Sequence, residues 1–501
     1  MTTNLKATDI KNKLFYGDNL EILRRYIPNE SIDLIYLDPP FKSEKAYNVF
    51  FEEKNGGKSR AQIKVFEDTW HWDRTAEETY AEILEKAPND IKETIVAFRN
   101  FLGNIDMMAY LVMMTIRLLE LHRVLKATGS IYLHCDSTAS HYLKIIMDRI
   151  FGAKNFRNEI VWHYKRWTAE ANKFQKLHDI ILFYTKTNKY FFNPQYEPYG
   201  EWIKKDYKYI DEQGRRWRWH TVKGKRYKVY LEDETRGVRL GDVWEIPFIG
   251  STAKERLGYP TQKPETLLER IVRTSSNEGD VVLDPFCGCG TAVAIAQKLE
   301  RKWIGIDITH LAINLIKHRL KDMFGNTISY EVIGEPVTTK EAEELAKQDR
   351  YQFQWWALGL VGARPAETEK RKGRDTGVDG VLYFIDEADS KKAKKIIIQV
   401  KSGHIGIKDI RELSNVVDTQ KAQIGVFITL HPATGDMKKE AISAGYYTSV
   451  GWGKKYPKIQ ILTIEDLLNG KQIEYPPKTN ITFKKANKIE KTKNNNQKSL
   501  I

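Results

Sequence analysis

From Leu14 to about Glu335, short apolar runs alternate with amphipathic stretches. SIDLIYLDPP, GSIYLH, HDIILFY, DVVLDPF and KWIGIDI read as buried strands. LVMMTIRLLELHRVL, PETLLERIV and TAVAIAQKL carry helical spacing between them. Strands alternating with helices predict an α/β fold built on a parallel sheet. The alternation breaks over 187–250, a polar, basic and aromatic stretch with GRRWRWHTVKGKRYKVY at its centre, which reads as an insertion. After Gly334-Glu335-Pro336 the acidic helix TTKEAEELAKQ opens a second, smaller α/β pattern that runs to about Glu474. From Pro476 the chain is lysine-rich and contains Asn494-Asn495-Asn496, which predicts a disordered basic tail over 476–501. The units expected are therefore 13–335, 340–475 and the tail, with no internal repeats.

Composition narrows the class. The 501 residues are 41% hydrophobic and 29% charged, which fits a soluble globular protein. No apolar stretch approaches the length needed to span a bilayer, and MTTNLKATDI has no secretory pattern, so no membrane partner is expected. Three cysteines, Cys135, Cys287 and Cys289, argue against a disulfide framework and suit a reducing cytoplasm. Cys287-x-Cys289 lacks both the C-x2-C spacing and a second ligand pair, so it reads as two small side chains in a tight turn rather than a zinc site. Eighty Lys and Arg against 66 Asp and Glu give +14, which favours a polyanionic partner. Gly57-Lys58-Ser59 resembles the end of a phosphate-binding loop, but Glu52 stands where that loop needs glycine.

Two segments carry candidate chemistry. The strand VVL ends in Asp284-Pro285-Phe286-Cys287-Gly288-Cys289-Gly290-Thr291, and a helix follows. A strand, a glycine turn and a helix N-terminus make a ligand cradle. Asp307, seventeen positions after Gly290, ends the next strand and is placed to accept ribose hydroxyls. The G-x-G-x-x-G spacing of dinucleotide sites is absent, which suits a cofactor without a pyrophosphate. Upstream, SIDLIYL ends in Asp38-Pro39-Pro40-Phe41. Two prolines fix φ and remove two amide donors, leaving carbonyls to face a cleft. Asp38 and the Pro39 carbonyl suit the two hydrogens of an aromatic amine, whose lone pair would then turn towards an electrophilic methyl group. Phe41 can stack on an extruded base.

Taken in order, Asp38-Pro-Pro-Phe41, Thr261-Gln-Lys-Pro264 and Asp284-Pro-Phe-Cys-Gly-Cys-Gly-Thr291 resemble the beta class of DNA amino-methyltransferases over residues 13–335. The resemblance implies a seven-stranded doubly wound sheet, permuted in sequence order, and S-adenosylmethionine as cofactor. It implies that Phe286, Gly288 and Gly290 line the methionine part and that Asp307 holds the ribose, with Asp284 and Thr291 in the same motif. Thr261 and Lys263 would close over the methionine end, and Asp18 would lie near the adenine. The insertion falls where that class places target recognition. There Arg215, Arg216, Arg218, Lys223, Lys225 and Arg226, with Trp217 and Trp219, can engage phosphates and bases of double-stranded DNA. Aspartate at position 38 favours N6 of adenine as the methyl acceptor, with N4 of cytosine as the alternative.

In the second unit, Gly377-Val378-Asp379-Gly380 leads into the strand VLYFI, and IIIQVKSG holds Gln399-Val400-Lys401. This resembles Mrr-type restriction nucleases, a branch of the PD-(D/E)xK fold, from about Tyr351 to Tyr447. The resemblance implies Mg2+ held by Asp379 and Gln399, with Lys401 steadying the attacking water or the developing charge. Gln399 is neutral where the wider fold often has glutamate, so a DNA-binding module that does not cleave is the alternative. Together the signatures predict a restriction–modification enzyme in one chain, with double-stranded DNA as partner and a homodimer left open.

Overall fold

A computed structural model describes residues 11–40, 72–165, 172, 174–200, 203–233, 237–250, 253–259, 261–366, 377–386 and 393–476. Its larger sheet contains β1 (Lys13–Tyr16), β2 (Ile32–Leu37), β3 (Leu125–Cys135), β4 (Phe156–His163), β5 (His178–Thr185), β6 (Val243–Glu245), β7 (Val281–Asp284), β8 (Lys302–Asp307) and β9 (Glu331–Ile333). The spatial order is β6-β4-β5-β3-β2-β7-β8-β1-β9. The nine strands exceed the seven expected because β6 and β9, three residues each, extend the two edges.

Side chains alternate between the two faces of each strand, and both faces are covered. Ile35 and Leu37 join a core with the helix Asp106–Val124, whereas Leu34 and Tyr36 join one with Glu265–Ser275 and Thr291–Lys298. Burial on both faces is why these strands read as unbroken apolar runs.

The sheet is mixed rather than wholly parallel. β5 runs antiparallel to both β3 and β4. No helix joins β4 to β5 among the described residues, so the chain returns directly instead of crossing over. The break over 187–250 also ends earlier than its pattern suggests, because β6 lies inside it and pairs with β4. Within that segment Tyr209–Ile210, Arg216–Val222 and Lys225–Tyr230 form an antiparallel ribbon. Lys223 and Gly224 both have positive φ at its two-residue turn, the conformation that suits strand twist.

A second sheet holds β10 (Arg364–Pro365), β11 (Gly380–Phe384), β12 (Lys394–Lys401), β13 (Ile424–Thr429) and β14 (Ile459–Thr463), in that spatial order. The first three are antiparallel and the last three parallel. Thr338 and Glu341 form a capping box at the start of the acidic helix Thr339–Gln348, and the helix Arg350–Leu360 follows at once. Among the described residues no helix is long and apolar enough to cross a membrane. Phe41, the decoy at 57–59 and the lysine-rich end from 477 lie outside the described residues.

Candidate active sites

Four neighbouring parallel strands deliver their C-terminal ends to one pocket. Leu283 of β7 pairs with Ile35 of β2, Asp284 with Gly305 of β8, and Asp307 with Tyr16 of β1. Parallel register therefore carries Asp38, Asp284, Asp307 and Asp18 to the same edge, where all four line the pocket. Phe286, Gly288, Thr291, Thr261 and Lys263 line it as well.

The glycine turn is shaped by backbone geometry. Gly288 and Gly290 have φ of +48° and +71°. A Cβ on Gly288 would meet the Tyr259 ring at 3.1 Å, and one on Gly290 would meet Ile316 at 2.8 Å. The first glycine thus keeps the pocket wall thin. Gly290 does not line the pocket; it lets the turn pack on the helix His310–Phe324. Arg319 of that helix is buried and donates to the Cys289 carbonyl at 3.2 Å, to the Thr291 hydroxyl at 3.0 Å and to Glu265 at 2.8 Å. All three cysteines are buried free thiols, and burial pushes those of Cys287 and Cys289 up.

Asp307 accepts the Gly288 amide at 2.9 Å and both the amide and hydroxyl of Thr309 at 2.9 Å. Burial outweighs these bonds and pushes its carboxyl up to about 6. Asp284 is raised well above the usual carboxylate range, by burial first and then by Asp38 and Asp307. Asp18 caps the helix Asn19–Tyr26 and takes a bond from Arg117 at 2.6 Å.

At Asp38 one oxygen pairs with the Lys263 ammonium. The other is buried and has no hydrogen-bond partner among the described residues. His134, fully buried, lies 3.8 Å from that oxygen and 3.5 Å from Asp179 on its far side. Tyr36 bridges to His134 at 3.1 Å. Burial would raise the Asp179 carboxyl, but its bond and charge interaction with His134 hold it below the usual range.

In the second sheet, Gly380 pairs with Ile398, so Asp379 lies against Gln399. Asp379 accepts the Val400 amide at 2.7 Å. Gln399 donates its amide nitrogen to the Gly377 carbonyl, which fixes the orientation of the amide group. Its buried oxygen has no hydrogen-bond partner among the described residues. Lys401, two residues on, shares the Gln399 face of β12. No group of three or more His, Cys, Asp or Glu that could hold a metal occurs among the described residues. An acidic ligand plus an orphaned amide oxygen still fits Mg2+, which keeps much of its water and takes one or two carboxylates.

Residues 32–318 match a family model described as DNA methylase, for N6 and N4 amino-methyltransferases. The chain belongs to this DNA methylase family. Residues 340–451 of the methylase match a second model, of Mrr type, described as restriction endonuclease, so the two architectures are fused in one chain. Among curated relatives, the Type II methyltransferase M.EcaI of Enterobacter cloacae is 28% identical over 62% of this chain and 69% of its own length. M.HpaI of Haemophilus parainfluenzae is 34% identical over 41% and 57%. The chain therefore spans just over half of M.HpaI. The DNA adenine methyltransferase YhdJ of Escherichia coli is 28% identical over 64% and 87%. Among solved structures, a putative DNA modification methylase of Thermus thermophilus complexed with S-adenosyl-L-methionine aligns with 17% identity and a TM-score of 0.35, over 65% of this chain and 99% of that one.

Several pocket residues of the methylase carried no sequence signal. Arg117 sits in a run read only as a helix by its spacing, yet it reaches Asp18 and donates to Asn19 at 2.6 Å. Tyr259 lines the pocket from a loop with no motif around it, and His134 and Asp179, in the buried cluster beside Asp38, come from strands that carry no catalytic motif. Its place between Ile116 and Leu118, a charge flanked by apolar neighbours in mid-helix, is the clue that would have found Arg117. On the ribbon, Trp217 stacks on Tyr209 at 4.6 Å and lies 5.2 Å from the half-exposed Trp219. Arg215 is held by Asp211 at 3.0 Å, and Arg218 lies over Tyr207 at 4.7 Å.

Proposed function

We propose that this methylase transfers a methyl group to N6 of adenine in double-stranded DNA, and that its second sheet cleaves DNA with Mg2+. The observation that carries the first part is the convergence of Asp38, Asp284, Gly288 and Asp307 on one pocket. These three carboxylates, with Asp18, around a thin glycine wall suit a cofactor that carries a sulfonium, an ammonium and ribose hydroxyls. S-adenosylmethionine supplies an electrophilic methyl group when bound. Asp307 and the Gly288 turn bind it, Asp18 lies towards its adenine end, and Thr261 with Phe286 bounds its methionine end.

The chemistry then falls to Asp38. Its oxygen that has no hydrogen-bond partner among the described residues accepts one hydrogen of the flipped base's amine, and the Pro39 carbonyl accepts the other. The lone pair is thereby turned away from the ring. Lys263 holds the second Asp38 oxygen, so the carboxylate cannot rotate. Transfer would form the nitrogen–carbon bond as the carbon–sulfur bond breaks, with sulfur keeping the electron pair as a neutral thioether, and the surplus proton on nitrogen would leave by way of the Asp38 oxygen to solvent. Phe41 is the stacking partner proposed for the base, and Trp219 with the ribbon arginines the contact to DNA. Adenine is favoured because Asp38 and Pro40 of the Asp-Pro-Pro segment line the pocket and a relative named as an adenine methyltransferase aligns along most of its length. For cleavage, Asp379 and the Gln399 amide oxygen would hold Mg2+, and Lys401 would stabilise charge at the scissile phosphate.

The test is incorporation of labelled methyl groups into plasmid DNA, with modified bases mapped by long-read sequencing. Wild type should mark adenine and Asp38→Ala should mark nothing. Marks on cytosine N4 would overturn the adenine assignment, and no marks at all the transferase reading. Cuts that require Mg2+, vanish with Asp379→Ala and spare methylated plasmid support the nuclease. Intact plasmid in every condition would leave the second sheet a DNA-binding module.

A further inference from the structure

The pocket strand β8 is joined to the restriction half through the helix that follows it. Asp307 leads through Ile308 and Thr309 into the helix His310–Phe324, and that helix is clamped by the restriction half. The His310 amide donates to the Gln352 side-chain oxygen at 3.0 Å, at a buried site. One turn on, Asn314 donates to the Trp355 carbonyl at 3.0 Å. Gly359 lies flat on Asn314, where a Cβ would fall 2.1 Å from its amide nitrogen. The His310 ring stacks on Tyr16, at 3.6 Å between centroids and 17° between planes, and Tyr16 is the last residue of the strand beside β8. The Gly17 amide in turn donates to the Asp307 carbonyl at 2.9 Å.

A first-turn amide of a helix has no partner within the helix, and here the other half of the chain provides one. From these contacts we infer that the helix Arg350–Leu360 of the restriction half is a positioning element for Asp307, so that occupancy of the cofactor pocket and the set of that helix are coupled. Gln352 and Gly359 are the positioning residues. Neither touches the pocket itself, so each acts through the helix that starts three residues after Asp307. Coupling of this kind is reciprocal: what the helix does for cofactor affinity, the cofactor does for the helix.

The inference rests on the proposal that this pocket binds S-adenosylmethionine. The experiment measures S-adenosylmethionine affinity by calorimetry on the full chain, with thermal melts as a folding control. Gln352→Met keeps shape and removes the acceptor; Gly359→Ala drives a methyl group into Asn314. Each should raise Kd by about five-fold or more, with KM for the cofactor rising and kcat held. Amide hydrogen exchange on wild type reads the reverse direction, and S-adenosylmethionine should slow exchange across residues 350–360. Folded variants with unchanged Kd, or wild-type exchange there indifferent to S-adenosylmethionine, would overturn the coupling and leave the methylase reading intact. Failure of wild type to bind S-adenosylmethionine would defeat both.

Discussion

Lowering pH is the cleanest perturbation of the cofactor pocket, because Asp307 titrates within reach of ordinary buffers. Its carboxyl is pushed from an ordinary value of 3.8 up to about 6 by burial. If ribose hydroxyls are held by the ionised form, affinity follows the ionised fraction, which is nine-tenths or more at pH 7 and about one-tenth at pH 5. Kd for S-adenosylmethionine should therefore rise about ten-fold across that interval, or about 1.4 kcal/mol. The stability of the cofactor-free chain moves the opposite way. An acid whose folded value lies above its unfolded one binds its proton first in the native state, so this group adds stability as pH falls from about 6 to about 4. Calorimetric titration between pH 7 and 5 measures the first effect and thermal melts without cofactor the second. Asp284 is also raised and faces the same pocket, so Asp307→Asn is the needed control: it should bind weakly and with a flat profile over this range. A wild-type Kd that does not change between pH 7 and 5, or a slope that survives in Asp307→Asn, would refute the role given to this carboxylate.

Three further outcomes are expected. Gly288→Ala forces a Cβ towards Tyr259 at a positive φ and should weaken cofactor binding about ten-fold, read by the same calorimetry. Trp219→Ala should cost about 1–3 kcal/mol of affinity for duplex DNA, measured by fluorescence anisotropy at fixed salt. Asp386 is fully buried and accepts from Lys394, Tyr447, Ser449 and the Val450 amide. Burial alone would raise its carboxyl, but these donors hold it down to about 2, so its stabilising effect is complete above about pH 4 and is lost as pH falls through 2. Asp386→Ala should destabilise the restriction half by about 2–4 kcal/mol in denaturant titrations at neutral pH.

What could be read from the residues, and what could not, divides along physical lines. Asp38, Asp284, Gly288 and Asp307 sit in short contiguous segments at strand ends, and alternation of strand and helix places such ends on one edge. Arg117, His134, Asp179 and Tyr259 reach the pocket or the buried cluster beside it only through tertiary packing, from positions with no local pattern. Strand direction was also beyond the residues. HDIILFY is as apolar as its parallel neighbours, and only its direct return from β4 makes it antiparallel. In the basic insertion, VWE is too short to stand out against its polar surroundings, although Trp244 is buried at the sheet edge. In the second unit, Asp379 and Gln399 were legible because the register of β11 and β12 brings together what the chain holds only twenty residues apart.

The position of β1 has a consequence for synthesis. It lies between β8 and β9, so a strand made near the beginning waits for partners ending at residue 333 before its edges are closed. Strands of the second sheet start at residue 364 and always leave the ribosome later. Translation thus completes the chain of the methylase sheet before the first strand of the second sheet is made, and a ribosome that stalls between the two leaves the methylase sheet alone.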